Sequence, residues 1–179
     1  MRINLYGGPG SGKSTVASKI FSSLKEQHIL IELVNEFVKT MAYQGIVATD
    51  WDQLTIFSSQ LAREEVFLKN GVKHIVTDSP ILLVACYTKL KFPRLFPHLI
   101  DMSAAFREMY QSIDIFIKRP EVYQAVGRYE DIEAAKRMDD IILEVLSDTV
   151  PDFKIVDCND FNTILSLSSE AVQPHRHLI

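Results

Sequence analysis

Residues 7–15 read GGPGSGKST, and this stretch decides the fold of the 179-residue chain. It fits the pattern G-x4-G-K-[ST]. It follows Ile3 to Tyr6, an apolar run typical of a buried strand, and it leads into a segment with helical periodicity. In that context the pattern predicts a phosphate-binding loop, because glycines let the backbone wrap a phosphate while the next helix presents unpaired N–H groups. The sequence therefore predicts a strand, a P-loop and a helix.

The side chains of this loop predict the binding of ATP and Mg²⁺. Lys13 should reach the β- and γ-phosphates, Ser14 should coordinate Mg²⁺ through its hydroxyl, and Thr15 should lie near the α-phosphate. The predicted nucleotide-binding residues are Gly8, Gly10, Ser11, Gly12, Lys13, Ser14 and Thr15. Glycines, Lys and Ser in this register argue against an ordinary glycine-rich turn.

Composition bounds the class of protein. Hydrophobic residues make up 47% of the chain, which is enough for one substantial core in a single domain. A formal net charge of −4 argues against a protein that coats nucleic acid. Cys86 and Cys158 form no zinc motif, and the sequence shows neither a signal peptide nor an apolar run of about 18 residues. We therefore expect a cytoplasmic protein without a membrane span, as a monomer or a homodimer.

Strand-like runs alternate with helix-length segments, which is typical of an α/β fold with a parallel sheet. Further strands are predicted at Ile29–Val34, His74–Thr77, Ile113–Ile117 and Phe153–Val156, and helices at Trp51–Lys69 and Asp131–Leu146. Residues 79–112 are predicted to be a substrate-side insertion. The reason is that Ser79 to Ile100 contains no acidic residue and interleaves basic with aromatic side chains.

Asp78 ends the third predicted strand, and the carboxyl ends of strands face the ligand crevice of an open α/β sheet. It is a candidate to bind Mg²⁺ through water or to accept a proton from an acceptor hydroxyl. The alternative is that Asp78 shapes the turn before a helix that starts at Pro80.

Three further residues are candidates for the acceptor side. Glu36 follows the second predicted strand and is a second candidate base or acceptor-binding residue, with a solvated helix start as the equal alternative. Gln60 and Arg63 lie three residues apart on the long predicted helix, where they could read polar groups of an acceptor. The alternative for this pair is a solvent-facing position.

Residues 118–130 follow the fourth predicted strand and are predicted to form a lid. Arg119 and Arg128 flank a loop long enough to bring positive charge to the γ-phosphoryl oxygens. A basic loop with solvated charges is the alternative. The candidate catalytic residues are therefore Lys13, Glu36, Asp78, Arg119 and Arg128.

With these features the chain resembles the P-loop nucleoside and nucleotide kinase superfamily over most of its length. It is most similar to the small AAA-type kinases of bacteria and phages that are related to the ribosylnicotinamide kinase domain. The resemblance rests on Gly7 to Thr15, on the strand that ends at Asp78 and on the segment Lys118 to Arg128. It implies a three-layer fold with sheet order 2-3-1-4-5, an adenine pocket near Cys158 to Asp160, and an acceptor site over strands two and three. Asp78 to Pro80 departs from the Asp-Arg-Tyr of thymidylate kinases and the Glu-Arg-Ser of deoxynucleoside kinases.

This resemblance implies an ATP- and Mg²⁺-dependent kinase for a nucleoside, a nucleotide or a related acceptor. Some phage members of the superfamily phosphorylate a hydroxymethylated pyrimidine within DNA, and Lys89, Lys91 and Arg94 among aromatic side chains could form a nucleic-acid track. The negative net charge favours instead a substrate-domain helix with a few surface lysines. The alternative function is a regulatory NTPase that hydrolyses nucleotide without a small-molecule acceptor.

Overall fold

The computed structural model describes residues 1–46, 48–49, 51–120 and 132–173. Its centre is a five-stranded parallel sheet in the order β2-β3-β1-β4-β5, which confirms the predicted α/β class and strand order. The strands are β1 (Arg2–Tyr6), β2 (Ile31–Val34), β3 (His74–Thr77), β4 (Ser112–Lys118) and β5 (Lys154–Asp157). The helices are α1 (Lys13–Glu26), α2 (Val38–Tyr43), α3 (Asp52–Lys69), α4 (Ile81–Lys91), α5 (Phe96–Met109), α6 (Ile132–Thr149) and α7 (Phe161–Val172). Within the described ranges, no helix is long and apolar enough to cross a membrane.

The side chains of β1 alternate between two apolar cores. Ile3 and Leu5 pack in one cluster with the buried faces of α1 and α7. Tyr6 belongs to the cluster on the opposite face, with residues of α3, α4, α5 and α6. The buried residues of α1, Val16, Ala17, Ile20 and Leu24, have the spacing of an amphipathic helix. Helices therefore cover both faces of the sheet, which gives the three-layer arrangement.

Residues 79–112 contribute much of one core. Every residue from Ile81 to Cys86 in α4 is buried, and Leu99 and Phe106 of α5 pack in the same cluster. The run from Ser79 to Cys86 is buried throughout and carries no charged side chain, because charged side chains are excluded from a core. Of the basic residues, Lys89 pairs with Glu144 at 2.8 Å. A role for this segment toward an acceptor stays a prediction.

A buried ion pair joins β1, α3 and α4. Arg2 Nη1 lies 3.2 Å from Glu64 Oε2, and both side chains are almost fully buried. Glu64 Oε1 accepts a hydrogen bond from Ile81 N at 3.0 Å, which satisfies a donor in the first turn of α4. Burial raises the pKa of Glu64 from 4.5 to about 7, and Arg2 opposes that rise. Arg2, and to a lesser extent the Ile81 N–H group, therefore favour a charged Glu64 inside the core.

Replacement of Arg2 by Met should leave Glu64 as an uncompensated buried acid and destabilise the protein by about 3–5 kcal/mol at neutral pH. Because the pKa of Glu64 is raised, this group stabilises the fold fully below about pH 4.5 and loses that contribution as the pH rises through about 7. Without Arg2 the pKa of Glu64 should rise further. The variant should therefore lose more unfolding free energy, relative to wild type, at about pH 8 than at about pH 5. Urea unfolding of both proteins at the two pH values measures this difference.

The double variant Arg2→Met/Glu64→Gln is the control for this experiment. It removes the ionisable group and keeps a carbonyl oxygen for Ile81 N, so the pH dependence should largely disappear. A destabilisation of the same size at both pH values would instead assign the effect of Arg2 to its packing over the Phe106 ring, whose centre lies 4.6 Å away.

Candidate nucleotide-binding site

The P-loop joins the carboxyl end of β1 to the first turn of α1. Gly12 has a φ of 92°, a left-handed conformation that favours glycine, and it turns the chain directly into α1 at Lys13. Gly12 offers no side chain to cap this helix. The first-turn N–H groups of α1 therefore remain available to a phosphate, as the sequence predicts.

Lys13 lies among carboxylates from three parts of the chain. Its Nζ donates to the carbonyl oxygen of Gly7 at 2.6 Å, which holds the ammonium group beside the loop. Burial lowers the pKa of Lys13, whereas the carboxylates of Glu36, Asp78 and Asp139 raise it. The fold thus brings two of the predicted carboxylates, Glu36 and Asp78, toward the predicted phosphate-binding lysine.

Asp78, directly after β3, meets the hydroxyl of Ser14. Ser14 Oγ donates to Asp78 Oδ2 at 2.5 Å. Asp78 is 6% exposed, and its Oδ1 is buried without a hydrogen-bond partner among the described residues. A buried carboxylate oxygen without a partner, next to a hydroxyl, suits Mg²⁺, which prefers oxygen ligands. No group of three or more His, Cys, Asp or Glu in the described ranges could hold a metal ion, so phosphates and water would supply the other ligands.

α3 braces the loop that carries Glu36. Gln60 is 1% exposed, and its Oε1 accepts a hydrogen bond from Phe37 N at 3.0 Å. Arg63 Nη1 donates to Asn35 O at 3.4 Å, and its guanidinium lies 5.1 Å from the centre of the Phe37 ring. The two side chains therefore hold the residues on either side of Glu36.

The burial of Gln60 contradicts the solvent-facing alternative for this residue. Gln60 Nε2 is buried and has no hydrogen-bond partner among the described residues. Leaving such a donor unpaired costs about 1–3 kcal/mol. The site therefore holds an amide donor that a ligand or a water molecule would satisfy.

Asp139 holds Arg119, which the sequence predicts as a lid arginine. Arg119 Nε donates to Asp139 Oδ2 at 2.7 Å, and Arg119 Nη1 donates to Pro9 O at 3.2 Å. Asp139 lies on the buried face of α6, four residues after Ala135 and three before Ile142. Asp139 is not among the residues predicted from the sequence. The signal that could have found it is a carboxylate within an otherwise apolar helical stripe.

Residues 121–130 of the predicted lid, including Arg128, lie outside the described residues, so the lid and its second arginine stay predictions. The loop after β5 is close to the P-loop, since a Cβ on Gly12 would lie 3.6 Å from Cys158 Cβ. Cys158 N also donates to Lys118 O at 3.2 Å. An adenine pocket at Cys158 to Asp160 would therefore adjoin the phosphate loop.

A family model described as an AAA domain matches residues 2–162. The chain belongs to this family. The matched residues include the P-loop, Glu36, Asp78 and the ion pair of Arg119 with Asp139. Each part of the candidate site described above therefore lies within the family domain.

Similar proteins carry names of nucleoside kinases. The uridine kinase of Alkaliphilus metalliredigens (strain QYMF) is 36% identical over 92 residues, which are 50% of this chain and 43% of that protein. The uridine kinase of Clostridium novyi (strain NT) is 32% identical over 92 residues, with the same shares. The matched stretch thus covers less than half the length of these curated relatives.

Solved structures share the fold at low sequence identity. NadR protein in complex with NAD and AMP-PNP has a TM-score of 0.73 and 13% identity, and the match covers 99% of this chain and 51% of that chain. A deoxyadenosine kinase from M. mycoides has a TM-score of 0.57 and 20% identity, with 96% of this chain and 97% of that chain covered. This chain therefore shares the fold of these two proteins.

Replacement of Ser14 by Ala or of Asp78 by Asn should reduce the factor by which Mg²⁺ increases the affinity for ATP. Each change removes an oxygen group of the candidate metal site, and losses of this kind lower metal affinity by about 10- to 100-fold. Calorimetric titration of ATP with Mg²⁺ and with EDTA measures the difference. The matched control is Ser18→Ala, because the exposed Ser18 hydroxyl donates to the Ser14 carbonyl oxygen. Wild-type Mg²⁺ dependence in both site variants would contradict this metal site.

Proposed function

We propose that this protein is an ATP- and Mg²⁺-dependent kinase that transfers the γ-phosphate to a hydroxyl group of a nucleoside or nucleotide. The observation that carries the proposal is the contact of the P-loop with a strand-end carboxylate, since Ser14 Oγ donates to Asp78 Oδ2 at 2.5 Å beside the loop that Lys13 Nζ bonds through Gly7 O at 2.6 Å. A phosphate loop with carboxylates from two strand ends can serve a donor, a metal and an acceptor at once. The names of the relatives, uridine kinase and deoxyadenosine kinase, support a nucleoside acceptor.

The donor half of the site consists of the P-loop and the end of β3. Lys13 and the first-turn N–H groups of α1 bind the phosphates of ATP. Ser14 and Asp78 would hold Mg²⁺, which would supply positive charge to offset the negative charge of the phosphates. The Ser14 hydroxyl is bonded to Asp78 Oδ2, and Asp78 Oδ1 has no hydrogen-bond partner among the described residues.

We assign the acceptor proton to Glu36. Asp78 is less suited, because one of its oxygens receives the Ser14 hydroxyl and the other is assigned to the candidate metal site. In the transfer, a bond forms between the acceptor oxygen and the γ-phosphorus while the bond from that phosphorus to the bridging oxygen breaks. ADP leaves, and the proton of the acceptor hydroxyl passes to Glu36.

Gln60 defines one property of the acceptor. Its Oε1 is used by Phe37 N, so Nε2 is the group left for a ligand. An amide N–H pairs with a carbonyl oxygen or a ring nitrogen, both of which nucleobases present. The acceptor that this site favours therefore carries a hydrogen-bond acceptor within reach of Gln60 when its hydroxyl lies near Glu36.

A pyrimidine within DNA is the second candidate acceptor, and an aromatic pair with one exposed ring favours it. Trp51 is 68% exposed and meets Phe92 edge to face, with ring centres 5.1 Å apart. Lys91 and Arg94, on either side of Phe92 in the sequence, are also exposed. Bases stack on aromatic rings while basic side chains track the phosphates. The substrate suited to this surface would be a 5-hydroxymethylated pyrimidine in DNA.

Transfer of labelled γ-phosphate from ATP with Mg²⁺ tests the proposal. The acceptors are uridine, deoxyadenosine, nicotinamide riboside, mononucleotides, and duplex DNA with and without 5-hydroxymethyluracil. Label on one acceptor establishes the kinase and identifies its substrate. Lys13→Ala serves as the inactive control, because it lacks the phosphate-binding ammonium. Label released as free phosphate alone, whatever acceptor is present, would overturn the kinase in favour of a regulatory NTPase.

Glu36→Gln should lower kcat by about 10²- to 10⁴-fold, because the amide cannot take the acceptor proton. Binding of ATP should be unchanged, since the P-loop and the candidate metal site are intact. Single-turnover transfer at saturating ATP measures the loss. A larger fall in kcat in Asp78→Asn than in Glu36→Gln, with Mg²⁺ saturating, would move the role of base to Asp78.

Gln60→Met should raise the KM for the acceptor by about 5- to 150-fold, because a donor to the ligand is lost. The KM for ATP should stay at the wild-type value. Arg63→Met is the matched control, since it removes a brace on the same loop and leaves the Gln60 amide in place. Equal increases of the acceptor KM in both variants would show that Gln60 acts through the loop and not on the ligand.

A further inference from the structure

Asp139 connects α6 to the P-loop and to Arg119. Its Oδ1 accepts a hydrogen bond from Gly8 N at 2.5 Å. Its Oδ2 lies 2.7 Å from Arg119 Nε and 2.6 Å from Arg119 Nη2. The Arg119 and Asp139 side chains are 14% and 15% exposed. Water therefore competes weakly for this pair, and charge-assisted bonds of this kind are stronger than neutral ones.

The first half of the P-loop, residues 7–9, fits closely against α6. A Cβ on Gly8 would lie 2.7 Å from Ala135 O and 2.8 Å from Asp139 Oδ1, distances that real Cβ atoms do not adopt. Arg119 adds two bonds in the same place, from Nη1 to Pro9 O at 3.2 Å and from Nη2 to Ala135 O at 3.1 Å. Asp139, Arg119 and the first half of the loop therefore form one hydrogen-bonded unit.

This unit matters for phosphate binding because a glycine-rich loop is conformationally free when nothing holds it. If the loop became ordered only when ATP binds, the entropy lost on ordering would weaken the binding of ATP. Contacts to Gly8 and Pro9 leave the second half of the loop and the start of α1 available to phosphate. The Asp139 carboxylate also favours the charged form of Lys13.

We propose that Asp139 is a positioning residue for ATP binding: its carboxylate fixes residues 7–9 of the P-loop against α6 and orients Arg119 toward the loop. The proposal rests on the proposed function in taking ATP as the ligand. It does not require that phosphate is transferred.

Asp139→Asn tests the role of the carboxylate. The amide has the same shape, but one of its two polar atoms is a donor, so it cannot accept from Gly8 N and from Arg119 together. ATP affinity should fall by about 10- to 100-fold. Affinity for adenosine, which has no phosphate, should stay within about twofold of wild type. Calorimetry measures ATP, and ligand-observed NMR measures adenosine.

Three further measurements accompany the Asp139→Asn experiment. In turnover, Asp139→Asn should raise the KM for ATP and leave the KM for the acceptor unchanged. Asp140→Asn, which neutralises the next carboxylate on α6 at an exposed position, is the matched control and should bind ATP as wild type. The double variant Asp139→Asn/Arg119→Gln should have the same ATP affinity as whichever single variant binds ATP less tightly. The two losses should not add, because both residues act in one unit.

Wild-type ATP affinity in Asp139→Asn, or an equal loss of ATP and adenosine affinity, would overturn the proposal. If Asp139→Asn does not fold, Gly8→Ala disturbs the same contact from the loop side. A selective loss of ATP affinity in Gly8→Ala supports the proposal, whereas wild-type affinity or an equal loss for adenosine overturns it. A wild-type protein that binds ATP but phosphorylates no acceptor would remove the kinase function and leave this inference standing.

Discussion

A phosphate-binding loop must leave the N–H groups at the start of its helix free, so other parts of the chain have to hold it in place. Three contacts do so here. Asp139 accepts from Gly8 N, Arg119 donates to Pro9 O, and Lys13 donates to Gly7 O. These side chains come from α6, the end of β4 and α1. The shape of the loop therefore depends on how helices on both faces pack against the sheet.

The position of the Asp78 carboxylate, beside Ser14, also depends on contacts from other parts of the chain. Asp78 is followed by a short turn into α4, and the first N–H of that helix, on Ile81, bonds to Glu64 of α3. Glu64 is in turn paired with Arg2 on the central strand. A buried pair of this kind adds little net stability, but it requires good geometry. Its role here is to hold the turn after β3, and thus Asp78, at the edge of the P-loop.

Local signals predicted the strands and the P-loop, because each strand is a short apolar run next to a turn and the loop pattern is contiguous. Strand-end position predicted that Glu36 and Asp78 lie near Lys13. Periodicity predicted the long helix α3, but apolar residues alone do not define its buried face. There the buried face includes Gln53, Gln60 and Glu64, while Leu54 is exposed. The polar residues of this face are not apparent from apolarity, because they are buried through bonds to other parts of the chain, as Gln60 is to Phe37 N and Glu64 is to Ile81 N. Asp139 was missed because its partner Gly8 lies 131 residues away.

The same packing separates the two halves of the candidate site. α6 and the end of β4 hold the P-loop, whereas α3 holds the loop that carries Glu36, through Gln60 and Arg63. The structure shows no direct bond between these two sets of braces among the described residues. Lys13 is the point at which their electrostatic effects meet, because its pKa responds to Glu36 from one half and to Asp139 from the other. Substitutions on α3 should therefore alter the loop that carries Glu36 while the contacts that hold the P-loop stay the same.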